Sequence, residues 1–279
     1  MPKPRNLSPA YRVVAGIVRP AVRAVMKRDW AGHEHFPATG GFIVCPNHIS
    51  YADVFGLAHF AFDSGREPYF LGKESVFRLP GVGRLLKRAG MIPVNRESGQ
   101  AAAAFSAAVK GVRDGKSVVI YPEGTLTRDP DMWPMTGKTG AARVALETRC
   151  PVIPVAQWGA QEMLPRYSKK PKIVPRQTMH LRAGPPVDLE DLYDQPLSAS
   201  VLREATDRIM ASITRELEVL RGEQAPAVRF DARARGLPRI GKYDPAQAER
   251  SVEPPDQTDA DPGTPDPATP DPTTEEKSQ

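Results

Sequence analysis

Two cysteines, Cys45 and Cys150, are all that the 279 residues contain. They are too few for a disulfide framework and point to a reducing compartment. No stretch approaches the roughly 20 consecutive apolar residues that a membrane-spanning helix requires, and the mean hydropathy of −0.41 excludes a multispanning protein. Aromatic residues make up only 7%. With so few rings for base stacking and no recognisable binding motif, a nucleic-acid partner is not expected. Acidic residues are absent before Asp29. The N-terminal apolar stretches are interrupted by Arg12, Arg19, Arg23 and Lys27. They form neither a continuous apolar signal core nor a small-residue cleavage site, so no signal peptide is expected. The chain shows no internal repeat.

What is present is charge, unevenly placed. The formal net charge of +5 conceals a tail, residues 251–279, with eight acidic groups and one lysine, a net of −7. The other 250 residues carry 37 basic and 25 acidic groups, a net of +12. A body this basic suits an anionic partner: lipid headgroups, a phosphorylated substrate or nucleic acid. The tail is rich in Pro, Asp and Thr and has almost nothing apolar to bury, so it is expected to be disordered. The remainder suits one domain rather than two.

Residues 8–28 read as an amphipathic helix, or as two short ones broken at Pro20. Ser8 is placed to cap it and Pro9 to open its first turn. Val13, Val14, Ile17, Val18, Ala21, Val22 and Val25 form its apolar face; Arg12, Arg19, Arg23, Lys27 and Arg28 form its basic one. The pattern fits a helix lying in an anionic membrane surface, and equally a helix that covers the core with its basic face solvated. Beyond it, strands are expected at Gly41–Cys45, Pro68–Leu71, Gly90–Val94, Ser117–Tyr121, Val152–Trp158 and Thr178–Arg182. Pro93 marks the third of these as an edge strand. Helices are expected from Ser50 or Asp53, over Gln100–Arg113 and Thr139–Thr148, and along the Leu202, Ala205, Ile209, Ile213, Leu217, Leu220 stripe. This alternation predicts a single layered α/β domain, a mixed central sheet flanked by helices. The expected divisions are a membrane-interface helix at 1–29, the domain at 30–225, a basic extension at 226–250 and the acidic tail at 251–279.

Two segments carry candidate chemistry. In Cys45-Pro-Asn-His-Ile-Ser-Tyr-Ala-Asp53, a helix starting just after His48 would set Asp53 about one turn inside it. From there its carboxylate can reach back to the imidazole Nδ1–H. That leaves Nε2 to accept a proton from an alcohol and stabilises the imidazolium formed. Taken alone, the same residues also fit a helix-capping Asp and a surface His. Tyr121-Pro-Glu-Gly-Thr125 follows a strand, and its glycine allows close backbone approach to a ligand. Backbone N–H groups there can hold an oxyanion or a phosphate; an ordinary turn with an exposed Glu123 is the plainer reading.

Taken together, these segments resemble the glycerolipid acyltransferase family, which includes the lysophosphatidate acyltransferases. His48…Asp53, with Asn47 before and Ser50 after the histidine, is similar to its His-x4-Asp block. Lys73-Glu74 through Gly90-Met-Ile-Pro-Val-Asn-Arg96 resembles its second block, Pro122–Thr125 its Pro-Glu-Gly-Thr block, and Val152-Ile-Pro-Val155 its fourth. Gly32-x-Glu34-x-x-Pro37 fits ahead of the first strand. The resemblance covers roughly residues 30–185. It implies that His48 takes the proton of a glycerol hydroxyl as that oxygen attacks an acyl thioester, with Asp53 orienting His48. Asn47, Ser50, Lys73, Glu123, Gly124 and Thr125 would bind or position the substrates, and Arg96 would pair with the acceptor phosphate. It implies no metal and no cofactor beyond the co-substrate, acyl-CoA or acyl-carrier protein. The expected acceptor is a lysophospholipid, and the expected location is the cytoplasmic face of the cell membrane, against its anionic surface.

One position departs from the family. The third block commonly continues to an arginine that contacts phosphate; here Leu126 stands there and Arg128 is the nearest arginine. Either Arg128 takes the role or the acceptor differs, which leaves another lyso-lipid or an amino-lipid open. A non-catalytic lipid- or nucleic-acid-binding protein is the competing class, opposed by the intact His48/Asp53 pair. Cys45 reads as a small core residue rather than a nucleophile, and His33 and His35 as strand surface rather than metal ligands. Lys138, in Thr136-Gly-Lys-Thr-Gly140, lacks the spacing of a phosphate-binding loop and fits a helix-entry turn near the acceptor site. Arg229, Arg233, Arg235, Arg239 and Lys242 suit lipid headgroups, the acidic tail or a solvated surface alike.

Overall fold

A computed structural model describes residues 9–73, 78, 84, 92–94, 101–168 and 170–237. Its centre is β2 (Phe42–Pro46), buried along its whole length and flanked by parallel strands on both sides. Among the described residues the sheet has seven strands, in the order β1-β7-β6-β2-β5-β3-β4. The strands are β1 (Met26–Ala31), β3 (Pro68–Lys73), β4 (Ile92–Val94), β5 (Ser117–Val119), β6 (Val152–Trp158) and β7 (Gln177–Ala183). All described pairings are parallel except β6 with β7, so the sheet is mixed. A strand buried on both faces has to be apolar throughout, and Phe-Ile-Val-Cys is. Phe42 and Val44 point into a core shared with α1 (Pro9–Val25) and α2 (Asp53–Asp63). Ile43 and Cys45 point into one shared with α3 (Ala101–Arg113), α4 (Gly140–Thr148) and α6 (Ala199–Arg221). The two-residue period of the strand thus feeds both layers, each such side chain contributing about 2 kcal/mol by burial.

Cys45 and Cys150 are free thiols inside the second of these cores, and burial pushes the Cys45 thiol well up. The longest helix, α6, follows ordinary capping rules. The Ser198 hydroxyl accepts the Val201 N–H at 3.2 Å, and Gly222 ends the helix at φ +65°. Val201, Ala205, Ile209, Ile213 and Leu217 bury its apolar stripe.

Three expectations are corrected. Residues 26–29 belong to the sheet and not to the N-terminal helix: β1 pairs with β7 from Met26↔Gln177 to Ala31↔Arg182. Met-Lys-Arg-Asp-Trp-Ala has no strand-like alternation, so only the long-range backbone partner makes it a strand. Of the two readings of the N-terminal segment, the single helix is the one observed: α1 is continuous through Pro20, which is exposed. His33–His35 form a single helical turn rather than a strand, with His33 Nδ1 2.8 Å from Ser64 Oγ and its ring 4.3 Å from Phe60. The domain also extends past residue 225, because Phe230 and Leu237 bury against Met135 and the Thr136 N–H donates to the Phe230 carbonyl at 2.9 Å. β4 is an edge strand, as Pro93 requires.

Two of the arginines assigned to the basic face of α1 and its neighbourhood turn inward. The buried Asp63 carboxylate accepts Arg19 at 2.5 Å and Arg28 at 3.0 Å. Arg19 also lies over the Phe62 ring, and Tyr11 stacks on it from the next turn but one. Tyr11, Ala15 and Val22 are buried, so α1 covers the domain with one face. No described helix is long and apolar enough to cross a membrane.

Candidate active site

β2 delivers the chain to the site and Pro46 ends it. Asn47 then locks the exit: its Nδ2 donates to the Gln157 carbonyl (3.1 Å) and its Oδ1 accepts the Gln157 N–H (2.7 Å). Gln157 Nε2 completes the exchange by donating to the Asn47 carbonyl at 2.9 Å. Both residues are buried, so Asn47 is a bracket between β2 and β6 and not a surface contact for substrate. Gln157 was not singled out from the sequence, although it is the one strongly polar side chain in the buried Val-Ile-Pro-Val-Ala-Gln-Trp strand. A buried amide of that kind requires a partner.

His48 is held at both ends of its backbone by the segment after β5. Its N–H donates to Glu123 Oε1 at 2.9 Å, and its carbonyl accepts the Thr127 N–H at 2.7 Å. Glu123 Oε2 accepts the Met135 N–H at 3.1 Å. The glutamate is buried, and burial raises its pKa to about 8 against the opposing pull of its two N–H donors. It mounts the histidine rather than facing solvent. Of the backbone N–H groups expected to cradle an anion, that of Gly124 is used on the Tyr121 carbonyl (3.0 Å).

The imidazole is set by its neighbour in sequence. Asp53 opens α2 rather than lying a turn inside it, and its Oδ2 is 3.0 Å from His48 Nδ1. The same oxygen accepts the N–H groups of Ile49 (2.7 Å) and Ser50 (3.0 Å), which curls residues 48–53 around the carboxylate. Ser50 Oγ donates to the Leu164 carbonyl at 2.7 Å and accepts the Ala52 N–H, so it too is built into the fold. The Tyr121 ring lies 4.2 Å from the imidazole, centroid to centroid. Asp53 is fully buried, whereas the His48 side chain keeps 15% of its surface exposed. No hydrogen bond to Nε2 occurs among the described residues. The arrangement orders one nitrogen of a histidine and leaves the other facing outward, the requirement for a general base.

Gly124 stands beside this pair at φ +72°, and a Cβ there would come within 2.7 Å of Lys138 Nζ. Glycine is required twice over: by the left-handed backbone and by the lysine lying across it. The Lys138 N–H donates to the Pro122 carbonyl at 2.8 Å, which places this turn directly over the Pro122–Thr125 block. Thr125 is half-buried there. Leu126 is buried, and Arg128 is buried to within 1% and engaged inside the fold. Arg96 and the Lys73 side chain lie outside the described residues.

A model of the acyltransferase family matches residues 27–158. A chloroplastic 1-acyl-sn-glycerol-3-phosphate acyltransferase of Brassica napus is 28% identical over 51% of this chain and 40% of its own length. The enzyme of that name from Borreliella burgdorferi is 29% identical over 62% of this chain and 67% of its own, and that from Bacillus subtilis 27% over 53% and 71%. The crystal structure of the 1-acyl-sn-glycerophosphate acyltransferase of Thermotoga maritima shares the fold, with a TM-score of 0.57 over 77% of this chain and 81% of that one, at 21% identity. Residues 27–158, which supply His48, Asp53 and the Glu123 mount, are thus the part of the chain that is similar to the acyltransferase family.

Proposed function

We propose that the protein transfers a fatty acyl group from an acyl thioester to the free hydroxyl of 1-acylglycerol-3-phosphate, giving phosphatidic acid. The observation that carries this reading is the His48–Asp53 pair, with Nδ1 held at 3.0 Å and Nε2 open. Nε2 takes the proton as the hydroxyl oxygen bonds to the thioester carbonyl carbon. The tetrahedral adduct then collapses by breaking its C–S bond, and the imidazolium returns the proton to the departing thiolate. Asp53 holds the tautomer and stabilises the imidazolium between these steps. Lys138, lying over Gly124, supplies a cation where the block's usual arginine is replaced by Leu126, and Arg96 is the expected second phosphate partner. The acyl donor is acyl-CoA or acyl-carrier protein, and the site of action is an anionic membrane surface on its cytoplasmic face.

A second reading, acylation of a lyso-lipid with another headgroup, is favoured by Leu126 and by the burial of Arg128. The test offers labelled acyl-CoA and acyl-carrier protein with a panel of lyso-lipids and identifies products by mass spectrometry. Phosphatidic acid formation that disappears in a folded His48→Ala variant is the expected result. Preference for an acceptor without a terminal phosphate supports the second reading, and activity persisting in His48→Ala removes the mechanism.

A further inference from the structure

The segment between α5 (Ala160–Met163) and β7 has a composition unlike the rest of the domain. Between Glu162 and Asp188 the chain has no carboxylate, while residues 164–176 contain Arg166, Lys169, Lys170, Lys172 and Arg176. At its tip Ile173 is 46% and Val174 85% exposed. An apolar tip on a segment rich in cations and without carboxylates of its own is unusual on a surface facing only water.

Its two ends fix where this loop stands. It starts beside the catalytic turn, since the Leu164 carbonyl accepts the Ser50 hydroxyl and the Met163 carbonyl accepts the Lys172 N–H at 2.7 Å. It ends at α1, where the Arg176 guanidinium donates to the Arg23 and Met26 carbonyls. Arg166 pins its near side by donating to the Thr127 and Asp129 carbonyls. Tyr51 and Phe55, 56% and 48% exposed, flank Asp53 on the neighbouring turn. Of the eight large apolar side chains strongly exposed among the described residues, four thus fall on these two adjoining segments.

We propose that residues 165–176 form a membrane-docking loop. Ile173 and Val174 enter the interface of an anionic bilayer, Lys170 and Lys172 bind its headgroups, and Tyr51 and Phe55 bring the mouth of the His48 site to the same surface. Charge complementarity selects the occupant: lysines on a segment with no carboxylate of its own favour an anionic surface, and an exposed aliphatic pair favours one with an apolar interior. The contact is separate from α1, whose Arg19 is bound to Asp63 together with Arg28. It deepens the functional reading above, which requires two amphiphilic substrates to reach His48.

The test uses the full chain and vesicles of phosphatidylglycerol and phosphatidylcholine, read by flotation without substrates, so that an inactive enzyme still reports. Ile173→Ser/Val174→Ser is expected to weaken vesicle binding at least tenfold with unchanged thermal unfolding. Lys170→Gln/Lys172→Gln is expected to weaken it and flatten its salt dependence. Val219→Ser/Val228→Ser, exposed residues on α6 and in the segment after it, is the control and is expected to bind as the parent does. Parent-like binding by both loop variants overturns the proposal, as does an equal loss in the control. Loop variants that keep vesicle binding but lose affinity for duplex RNA also overturn it, in favour of a nucleic-acid surface.

Discussion

Replacing Glu123 by glutamine distinguishes a mount from a substrate contact. Both carboxylate oxygens accept backbone N–H groups, those of His48 at 2.9 Å and Met135 at 3.1 Å. Glutamine has the same shape but one oxygen, and its NH2 group accepts nothing. Either the His48 or the Met135 N–H loses its partner in a buried place, a loss that costs about 1–3 kcal/mol. For a domain of this size that lowers the melting temperature by roughly 2–4 °C per kcal/mol. The kcat should fall, because the backbone of His48 is no longer pinned, while KM for the acceptor stays unchanged. The same residue makes stability depend on pH. Its pKa is raised from 4.5 to about 8 on folding, so between these values the folded chain binds a proton that the unfolded chain has released. The associated stability is full below the lower value and is lost as pH rises to the upper one. Glu123→Gln should remove that slope. Calorimetry across pH 4 to 9, with steady-state kinetics, measures all three effects. A variant with parental stability and a raised acceptor KM would refute the mounting role and make Glu123 a substrate ligand.

Asp53→Asn keeps an oxygen for the three N–H donors but puts an amide where the buried Oδ1 has no partner among the described residues. Stability should fall by about 1–3 kcal/mol and kcat by about 100- to 10,000-fold; retained kcat would show that His48 needs no carboxylate. Lys138→Met retains the aliphatic stem over Gly124 and removes the charge. It should raise the acceptor KM about tenfold and leave the donor KM alone, and equal KM values in variant and parent would exclude it as a phosphate partner. Asp63→Asn removes the common partner of two partly exposed arginines, and should cost about 1–2 kcal/mol, less than a fully buried pair would. Limited proteolysis should then cut α1 faster than in the parent, and an unchanged cleavage rate would mean that apolar packing alone holds the helix.

Whatever depends on near neighbours was open to reading in the amino-acid sequence. Apolar runs bounded by Pro and Gly marked β2, β5 and β6, the 3.6-residue stripe marked α6, and Pro93 marked an edge. His48 and Asp53 are five positions apart, so one turn of chain brings them together whatever the rest of the fold does. The remainder depends on residues distant in sequence. β1 is a strand because β7, some 150 residues away, presents it with a ladder. Asn47 and Glu123 were expected to touch substrate. They instead tie the turn to partners 110 and 75 positions off, since a buried polar group takes whatever complement the fold sets opposite it. The burial of Arg128, the lysine lying over Gly124 and the placement of a basic loop beside Ser50 follow equally from tertiary packing. Local spacing determined which residues are able to do chemistry; long-range packing decided which of them face outward to do it.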